Sequence, residues 1–319
     1  MSDWQFLLDF ARQHAGQPMA LASLVAREGS SYRMPGARML VTADGNFSGT
    51  LSGGCLEEGI AQVAQRVLAS GQSETLHIDT RPHFGCPGKL RVFVEPVAGD
   101  LLARVFSQVA ERREFHLATF FEAEGTRIFR DDEEDPNQSG VLIEKIERRP
   151  RLVVIGWTSD SDPLLKMASL LEWELHRVSR TEQTAIAGET VTVCADDEFV
   201  ENFPADAMTA VLIMTHRLTT DLGFLKKVLA GGYGYIGLLG SRRRRETLLA
   251  EAGACGLLED PTVAERLYAP VGLDLGGEHP ATIALSIIAE IQAVFTGSAA
   301  GFLRDRLGII HHPAAAKTR

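Results

Sequence analysis

The second half of the chain alternates apolar runs with helical stretches, and this rhythm limits the possible folds more than any other feature. The apolar runs predict strands and read RLVVIG, ELHRVSR, ETVTVC, AVLIMTH and YGYIGLLG in chain order. Helices are predicted between them, at DPLLKMASLLEW, LGFLKKVLAG and RRRRETLLAEAG. Strands that alternate with helices form βαβ units, so a parallel sheet with helices on both faces is expected.

The first half lacks this alternation and predicts a mixed α/β domain. Helices are expected within MSDWQFLLDFARQHAG, from about Leu56 to Ala69, and from Leu101 onwards. ARMLVTADGNFSGTL predicts a hairpin with DGN as its turn, and further strands are expected at ETLHID, KLRVFVEP, FHLATFF and TRIFR. We place a boundary near Pro150, with one domain over 1–150, a second over 151–300 and a tail over 301–319 that we expect to be partly disordered.

Charge and composition exclude several classes of protein. The net charge of −10 argues against nucleic acid or an anionic membrane as the main partner. No signal peptide is recognisable, and the apolar segment Ala281 to Phe295 carries Glu290, which favours a buried helix over a membrane span. The four cysteines are far apart, so neither a zinc site nor a disulfide framework is expected, and the predicted location is cytoplasmic.

The stretch GTLSGGCLEEGI is the first candidate site, because it places Cys55 after Ser52, Gly53 and Gly54 at the mouth of a predicted helix. Glycine N–H groups and the first helical turn attract anions, and a helix N-terminus stabilises a thiolate. The two glutamates that follow oppose this stabilisation. The segment predicts either a partly ionised sulfur beside a phosphate-binding backbone or a buried structural cysteine after a tight turn.

Two further segments of the first half contain candidate ligand contacts. GSSYRMPGARMLV contains Arg33 and Arg38, which can clamp a phosphate or carboxylate, or can be two surface arginines around a β-turn. HFGCPGKL places Cys86 in a second loop flanked by glycines.

In the second half, a nicotinamide dinucleotide site is poorly supported. Gly156 follows the first strand, but Trp157, Thr158 and Ser159 replace the glycine-rich turn, and the next strand ends in RVSR without an acidic residue for a ribose.

The run GSRRRRE and the residue His216 are the remaining candidates. Ser241 is a predicted helix N-cap, so Arg242 and the arginines after it fall in the first turn, where the helix dipole disfavours cations. A bound anion would reverse that effect; pairing with Glu246 and Glu251 is the alternative. His216 directly follows an apolar strand, and either a ligand or a partner within the fold can account for it.

Taken together, these segments resemble a known family. GSSYRMPGARMLVTADGNFSGTLSGGCLEE resembles the N-terminal signature of the xanthine dehydrogenase accessory factor family (XdhC/CoxI), and YIGLLGSRRRR and APVGLDLGGEHPATIALSIIAEI resemble its Rossmann-like C-terminal domain. The resemblance implies a cytosolic chaperone that binds the molybdenum cofactor and shelters it while a cysteine desulfurase installs the sulfido ligand. The implied chaperone then inserts the cofactor into a client such as xanthine dehydrogenase, aldehyde oxidoreductase or carbon monoxide dehydrogenase. It also implies a homodimer and a synthesis partner such as a cytidylyltransferase, which makes the cytosine dinucleotide form.

On this interpretation, Cys55 contacts molybdenum or its labile sulfur. The other implied cofactor contacts are Ser52, Gly53, Gly54, Arg33, Arg38, Cys86, His216, Ser241 and Arg242. Two segments depart from the family pattern. Where the family has Gly-Cys-Gly-Gly, this chain has Gly85-Cys86-Pro87-Gly88, and the proline removes a backbone donor and alters any ligand contact there. Where the family has Gly-Ala-Gly-His, this chain has Gly156-Trp157-Thr158-Ser159, which weakens the case for a nucleotide site in the second domain.

Two enzymatic alternatives stand beside the non-catalytic carrier. One is a thiol-dependent sulfur transferase that uses Cys55, and the other is an NAD(P)-dependent oxidoreductase that uses the Rossmann-like domain. The replaced glycine turn argues against the oxidoreductase, whereas the sulfur transferase would use the same cysteine as the carrier.

Overall fold

A computed structural model describes residues 4–29, 31–80, 88–97, 99–122, 125–129, 139–185, 188–254 and 256–306, and the backbone of 317–318. The chain divides into an N-terminal unit, which comprises Met1–Arg148 and His311–Arg319, and a C-terminal unit, which comprises Arg149–Ile310. Cys86, the segment 130–138 and most of the tail after 306 lie outside the described residues. Within the described part, no helix is both long and apolar enough to cross a membrane.

The N-terminal unit contains two antiparallel sheets and three helices. Its helices are α1 (Trp4–Gln13), α2 (Glu57–Ser70) and α3 (Leu101–Ala110). The first sheet has the order β3-β2-β1-β5-β4 and consists of β1 (Met19–Gly29), β2 (Arg38–Thr42), β3 (Phe47–Gly49), β4 (Glu74–Asp79) and β5 (Gly88–Pro96). The second sheet contains β6 (Phe115–Phe120), β7 (Gly125–Phe129) and β8 (Val141–Ile146), with a short edge strand formed by Lys317–Thr318.

The first sheet is covered on both faces because its strands carry apolar side chains in alternation. Ala20, Ala22 and Leu24 of β1 pack with the apolar stripe of α2 on one face. On the other face, Leu21 packs with Trp4 of α1 and with α3. The helix α2 therefore has a fixed position on the sheet, and this fixes the loop that precedes it.

A buried polar network lies in the N-terminal unit. Arg38 of β2 pairs with Glu144 of β8, and its guanidinium also donates to Thr119 Oγ1 at 3.5 Å. Thr119 Oγ1 lies 3.0 Å from Thr126 Oγ1, and Thr126 donates its backbone N–H to Glu95 Oε2 at 2.9 Å. Burial raises the pKa of Glu95, and the hydrogen bonds from Thr126 and the charge of Arg38 offset part of that rise.

The raised pKa of Glu95 predicts a stability that falls as the pH rises. The folded chain holds this proton over a pH range in which the unfolded chain has released it, so the stabilisation is complete below the unfolded pKa and is lost as the pH rises through the folded pKa. In urea unfolding between about pH 4.5 and 8, Glu95→Gln should therefore gain stability relative to the parent as the pH increases. Glu28→Gln, at an exposed position, serves as control, and a pH-independent difference for Glu95→Gln would contradict the prediction.

The C-terminal unit is built on the predicted parallel sheet. Its six strands have the order β11-β10-β9-β12-β13-β14, and all the neighbouring strands run parallel. The strands are β9 (Arg151–Ile155), β10 (Glu174–Ser179), β11 (Thr190–Val193), β12 (Thr209–Ile213), β13 (Tyr235–Leu238) and β14 (Leu267–Tyr268). The helices are α4 (Ser161–Ser169), α5 (Phe199–Asn202), α6 (Leu218–Leu229), α7 (Arg242–Gly253), α8 (Pro261–Glu265) and α9 (Pro280–Thr296), with a 3₁₀ turn at Leu303–Asp305.

Alternate residues of β9 explain why helices cover both faces of this sheet. Leu152 and Val154 pack with α4 and α9, whereas Val153 and Ile155 pack with residues of α6 and α7. The fold class is thereby confirmed: a mixed α/β unit is followed by a Rossmann-like parallel sheet.

Candidate functional site

The loop that carries Cys55 comprises residues 50–56 and connects β3 to α2. Gly53 and Gly54 have φ values of +88° and +114°, a left-handed backbone that residues with a Cβ rarely adopt. The chain therefore turns tightly here and enters α2 two residues after Cys55. Cys55 is exposed, so its interpretation as a buried structural cysteine is wrong.

Glu57, the first residue of α2, is the centre of this loop. Its carboxylate accepts hydrogen bonds from Thr50 Oγ1 at 2.6 Å, Leu51 N at 2.9 Å, Ser52 N at 2.8 Å, Ser52 Oγ at 2.7 Å, Gly54 N at 3.0 Å and Leu56 N at 3.0 Å. Burial raises the pKa of Glu57, but the hydrogen bonds from Thr50, Ser52 and Leu51 outweigh it and lower the pKa to about 2. The loop thus surrounds a carboxylate of its own chain.

These contacts change the interpretation of the glycine N–H groups. The sequence suggests that they attract an external anion, but Gly54 N donates to Glu57, and Gly53 N donates to Thr50 Oγ1 at 3.0 Å. The backbone N–H of Cys55 donates to Ser52 Oγ at 3.1 Å. The loop therefore uses these donors internally, and Ser52 connects its two ends.

Tyr32 is a residue of the site that the sequence analysis did not identify. A Cβ added at Gly53 would lie 3.0 Å from Cδ1 of Tyr32, so the aromatic ring rests against the glycine. The ring is 64% exposed although it packs on this loop. An exposed aromatic residue next to a predicted arginine contact is the signal that would have pointed to it. The site therefore presents a thiol and an aromatic surface on the same loop region.

The predicted arginine clamp is corrected in part. Arg38 is 2% exposed and forms an ion pair with Glu144, while its guanidinium lies 5.3 Å from the centre of the Trp4 ring. A guanidinium with this burial and these partners belongs to the core and does not reach a ligand at the surface. Arg33 remains half-buried at the surface, and desolvation lowers its pKa.

Among the cysteines that the structure describes, only Cys55 offers an exposed thiol. Cys194 is buried, and desolvation together with the negative charge of Glu198 raises its pKa, so it is a poor nucleophile at neutral pH. Cys86, the other predicted contact, lies outside the described residues. The described part of the chain also contains no cluster of three or more His, Cys, Asp or Glu side chains suited to a metal ion.

In the C-terminal unit, three loops meet at the carboxyl edge of the parallel sheet. Gly156 follows β9, His216 follows β12, and Ser241 follows β13. A Cβ at Gly156 would lie 2.8 Å from the backbone of Met214, so the first two loops are in direct contact. Ligands of parallel α/β sheets bind at this edge, and the fold brings the predicted His216, Ser241 and Arg242 to it.

Trp157 occupies the position where a dinucleotide-binding sheet has its glycine turn, and its ring contacts Arg177 of β10. The guanidinium of Arg177 lies 4.0 Å from the centre of the Trp157 ring, which is a cation–π contact. Arg177 is fully buried and pairs with Asp162 at 2.8 Å and Glu189 at 3.2 Å. The missing glycines thus have a physical reason, because the indole covers a buried cation.

The predicted arginine helix divides into inward and outward side chains. Ser241 caps α7 by accepting from the backbone N–H of Arg244 at 3.4 Å, as predicted. Arg244 forms an ion pair with the buried Asp221, and Arg245 donates to the carbonyl of Ala269 at 3.0 Å. Arg242 is exposed, and so is His216, which has a φ of +58°. The inward arginines therefore stabilise the unit, and the exposed Arg242 and Arg243 are available to an anion.

Comparisons with known proteins agree on one family. A family model described as "XdhC and CoxI family" matches residues 12–79, and one described as "XdhC Rossmann domain" matches residues 152–291. A protein of Bacillus subtilis (strain 168), named as a probable xanthine dehydrogenase subunit, is 26% identical over 91% of this chain and 97% of its own length. "Molybdenum cofactor insertion chaperone PaoD" of Escherichia coli (strain K12) is 25% identical over 92% of this chain and 89% of its own length.

A solved structure shows the same similarity in three dimensions. The crystal structure of a protein described as a xanthine dehydrogenase from Bacillus halodurans matches with a TM-score of 0.76 and 26% identity. The match covers 93% of this chain and 96% of that chain. The family matches fall in both units, in the order that the sequence predicts, and this chain belongs to the XdhC/CoxI family of xanthine dehydrogenase accessory factors.

Proposed function

We propose that this chain is a carrier that binds the molybdenum cofactor and inserts it into a molybdenum enzyme. Family membership supports an accessory role, and the relative named as a molybdenum cofactor insertion chaperone supports the cargo. The observation that carries the proposal is the exposed Cys55 on a loop whose backbone N–H groups from residue 51 to residue 56 all donate within the chain. A soft thiolate suits a thiophilic metal centre, so Cys55 would contact molybdenum or its sulfido ligand.

The remaining predicted contacts are proposed around this thiol. Because Gly53 has no Cβ, the Tyr32 ring can pack against it, and this exposed ring offers an aromatic surface to the flat pterin. Arg33 would approach the phosphate of the cofactor, and Ser52 and Gly54 would act by maintaining the loop. Cys86 stays a proposed contact from the sequence alone.

For the C-terminal unit we propose a contact with the nucleotide part of a dinucleotide cofactor. Ser241, Arg242 and His216 are exposed at the carboxyl edge of the sheet, where anionic ligands bind in this class of fold. The domain limits 1–150 and 151–300, with a tail over 301–319, are part of this proposal.

The proposed partners follow from the cargo. They are a molybdenum hydroxylase client such as xanthine dehydrogenase or aldehyde oxidoreductase, a cysteine desulfurase that supplies the sulfido sulfur, and a cytidylyltransferase if the cargo is the cytosine dinucleotide. A homodimer in the cytoplasm, without a catalytic step of its own, completes the proposal.

Replacement of Cys55 tests the carrier function. Cys55→Ala should reduce the pterin that copurifies per chain by about tenfold or more, which corresponds to ~1.4 kcal/mol of binding free energy. Cys55→Ser should be intermediate or equally poor, because a hydroxyl is a harder ligand than a thiolate. The measurement is the fluorescence of oxidised pterin released from protein made in cells that synthesise the cofactor, together with activation of a client apoenzyme.

Cys194→Ala is the matched control, because it removes a thiol that is buried. It should retain the parental amount of pterin. Unchanged retention and unchanged client activation by Cys55→Ala would contradict the carrier function at this site.

The exposed thiol also keeps sulfur transfer as a second candidate function. The Cys55 thiolate would take the outer sulfur atom from the persulfide of a desulfurase and release the desulfurase thiolate. Mass spectrometry after incubation with desulfurase and cysteine would detect the persulfide on Cys55. The oxidoreductase alternative is less well supported, because Trp157 covers Arg177 at the position of the glycine turn. The end of β10, where a nicotinamide site has an acidic residue for the ribose, carries Arg180 instead, which pairs with Asp196 at 3.2 Å.

A further inference from the structure

The Glu57 carboxylate accepts more hydrogen bonds than the capping of a helix N-terminus requires. Four backbone N–H groups and two hydroxyls converge on one carboxylate that is 3% exposed. Hydrogen bonds to an ionised acceptor are roughly twice as strong as neutral ones. A single side chain therefore satisfies most of the donors in residues 50–56.

The arrangement is that of an anion site in which the anion belongs to the chain. Glycine-rich loops before a helix direct N–H groups at one point and commonly hold a phosphate there. In this loop the Glu57 carboxylate occupies that point and accepts hydrogen bonds from the donors around it. An external phosphate would have to displace a buried negative charge to reach the same donors.

Without this anion the loop has little reason to keep its shape. Gly53 and Gly54 are exposed, and their backbones have more conformations available than any other residue type. The N–H groups of Leu51, Gly54 and Leu56 would lose the Glu57 acceptor at the same time. The orientation of Cys55, which lies between Gly54 and Leu56, depends on these contacts.

We propose that Glu57 is a positioning residue that serves as the internal anion of the Cys55 loop. It keeps residues 50–56 folded before cargo arrives, and it excludes oxyanions from the N–H groups of the loop. The loop then recognises its cargo through the Cys55 sulfur, and the phosphate of the cargo binds elsewhere. The role of the loop in cargo recognition rests on the proposed function, whereas the folding of the cargo-free loop around Glu57 does not.

Hydrogen exchange on the cargo-free full chain tests the loop directly. Glu57→Gln keeps the size of the side chain but places an NH₂ group, which donates, against N–H donors. The amides of residues 51–56 should exchange about tenfold faster or more in Glu57→Gln than in the parent. Glu58→Gln is the matched control, because Glu58 is the next residue of the same helical turn and is exposed, and its rates should equal those of the parent.

Rescue by a small anion separates positioning from general loss of structure. In Glu57→Ala, added acetate should restore slow exchange in residues 51–56, while inorganic phosphate should leave the parent protein unchanged. If Glu57→Gln and Glu57→Ala do not fold, Glu57→Asp keeps the charge on a shorter side chain and should show intermediate exchange in the same segment.

Unchanged exchange in Glu57→Gln, or protection of the parent loop by phosphate, would overturn the proposal. Cofactor retention tests whether cargo binding depends on the folded loop. Glu57→Gln should lose pterin although Cys55 is intact, and Glu58→Gln should keep it. If the parent itself retains no pterin, the carrier function fails, but the exchange experiment still decides the role of Glu57.

Discussion

Replacing Glu144 by alanine is expected to lower the free energy of unfolding by about 3–5 kcal/mol, because it leaves the guanidinium of Arg38 buried without its carboxylate. Arg38 is 2% exposed, so water cannot replace the lost partner without opening the structure. The effect would be measured by urea unfolding followed by tryptophan fluorescence, to which Trp4 of the N-terminal unit contributes together with Trp157 and Trp173. Trp4 lies in the core next to Arg38, so its emission reports on this region.

Two controls separate the buried ion pair from the loss of any glutamate. Glu147→Ala removes an exposed carboxylate that lies 3.1 Å from Lys145, and it should change the free energy of unfolding by less than about 1 kcal/mol. The double replacement Arg38→Met with Glu144→Leu should recover most of the lost stability, since well-packed apolar residues can substitute for a buried pair. A small effect of Glu144→Ala would show that the pair is not desolvated.

The second large effect is expected for Gly156→Ala, at the end of the first strand of the parallel sheet. Gly156 has a φ of +125°, and a Cβ would lie 2.8 Å from the carbonyl carbon and oxygen of Met214. Backbone strain and a clash with another backbone segment act together, so the free energy of unfolding of the C-terminal unit should fall by about 3 kcal/mol or more. Thermal unfolding followed by circular dichroism measures this change.

Gly253→Ala provides the opposite expectation in the same unit. Gly253 is the last residue of α7, and a Cβ there would meet no atom within 4 Å. Alanine should stabilise this position by about 0.5–1 kcal/mol, because glycine loses more conformational entropy in a helix. Equal effects at the two glycines would mean that the close approach of the loops after β9 and β12 does not matter for stability.

The sequence predicted the fold well because the fold depends on local periodicity. The apolar runs of the second half became parallel strands, and the predicted helix near Leu56 to Ala69 is α2. The stripe of Ile60, Val63 and Val67 on α2 packs on the sheet, and Gly71 ends the helix with a φ of +70°. Each of these features is determined by residues within a few positions of one another.

The candidate site was predicted less completely, because its decisive contacts depend on the folded backbone or on distant residues. The partner of Arg38 is 106 positions away, so the sequence could not distinguish a surface clamp from a core ion pair. Glu57 is close in sequence to the glycines, but only the left-handed turn at Gly53 and Gly54 directs the N–H group of Gly54 towards it. The sequence suggested instead that this glutamate merely opposes a thiolate at Cys55.

The stacking of Trp157 on Arg177 has a consequence for how such a sheet could change its ligand. A variant with glycine at position 157, the first step towards a nicotinamide-binding turn, would uncover a charged side chain that is fully buried and held by Asp162 and Glu189. That step alone creates a cavity beside a cation and destabilises the unit before any new ligand can compensate. Acquisition of a nicotinamide-dinucleotide site at this turn would therefore require Arg177 and its two carboxylate partners to change along with Trp157, so single substitutions do not lead to it step by step.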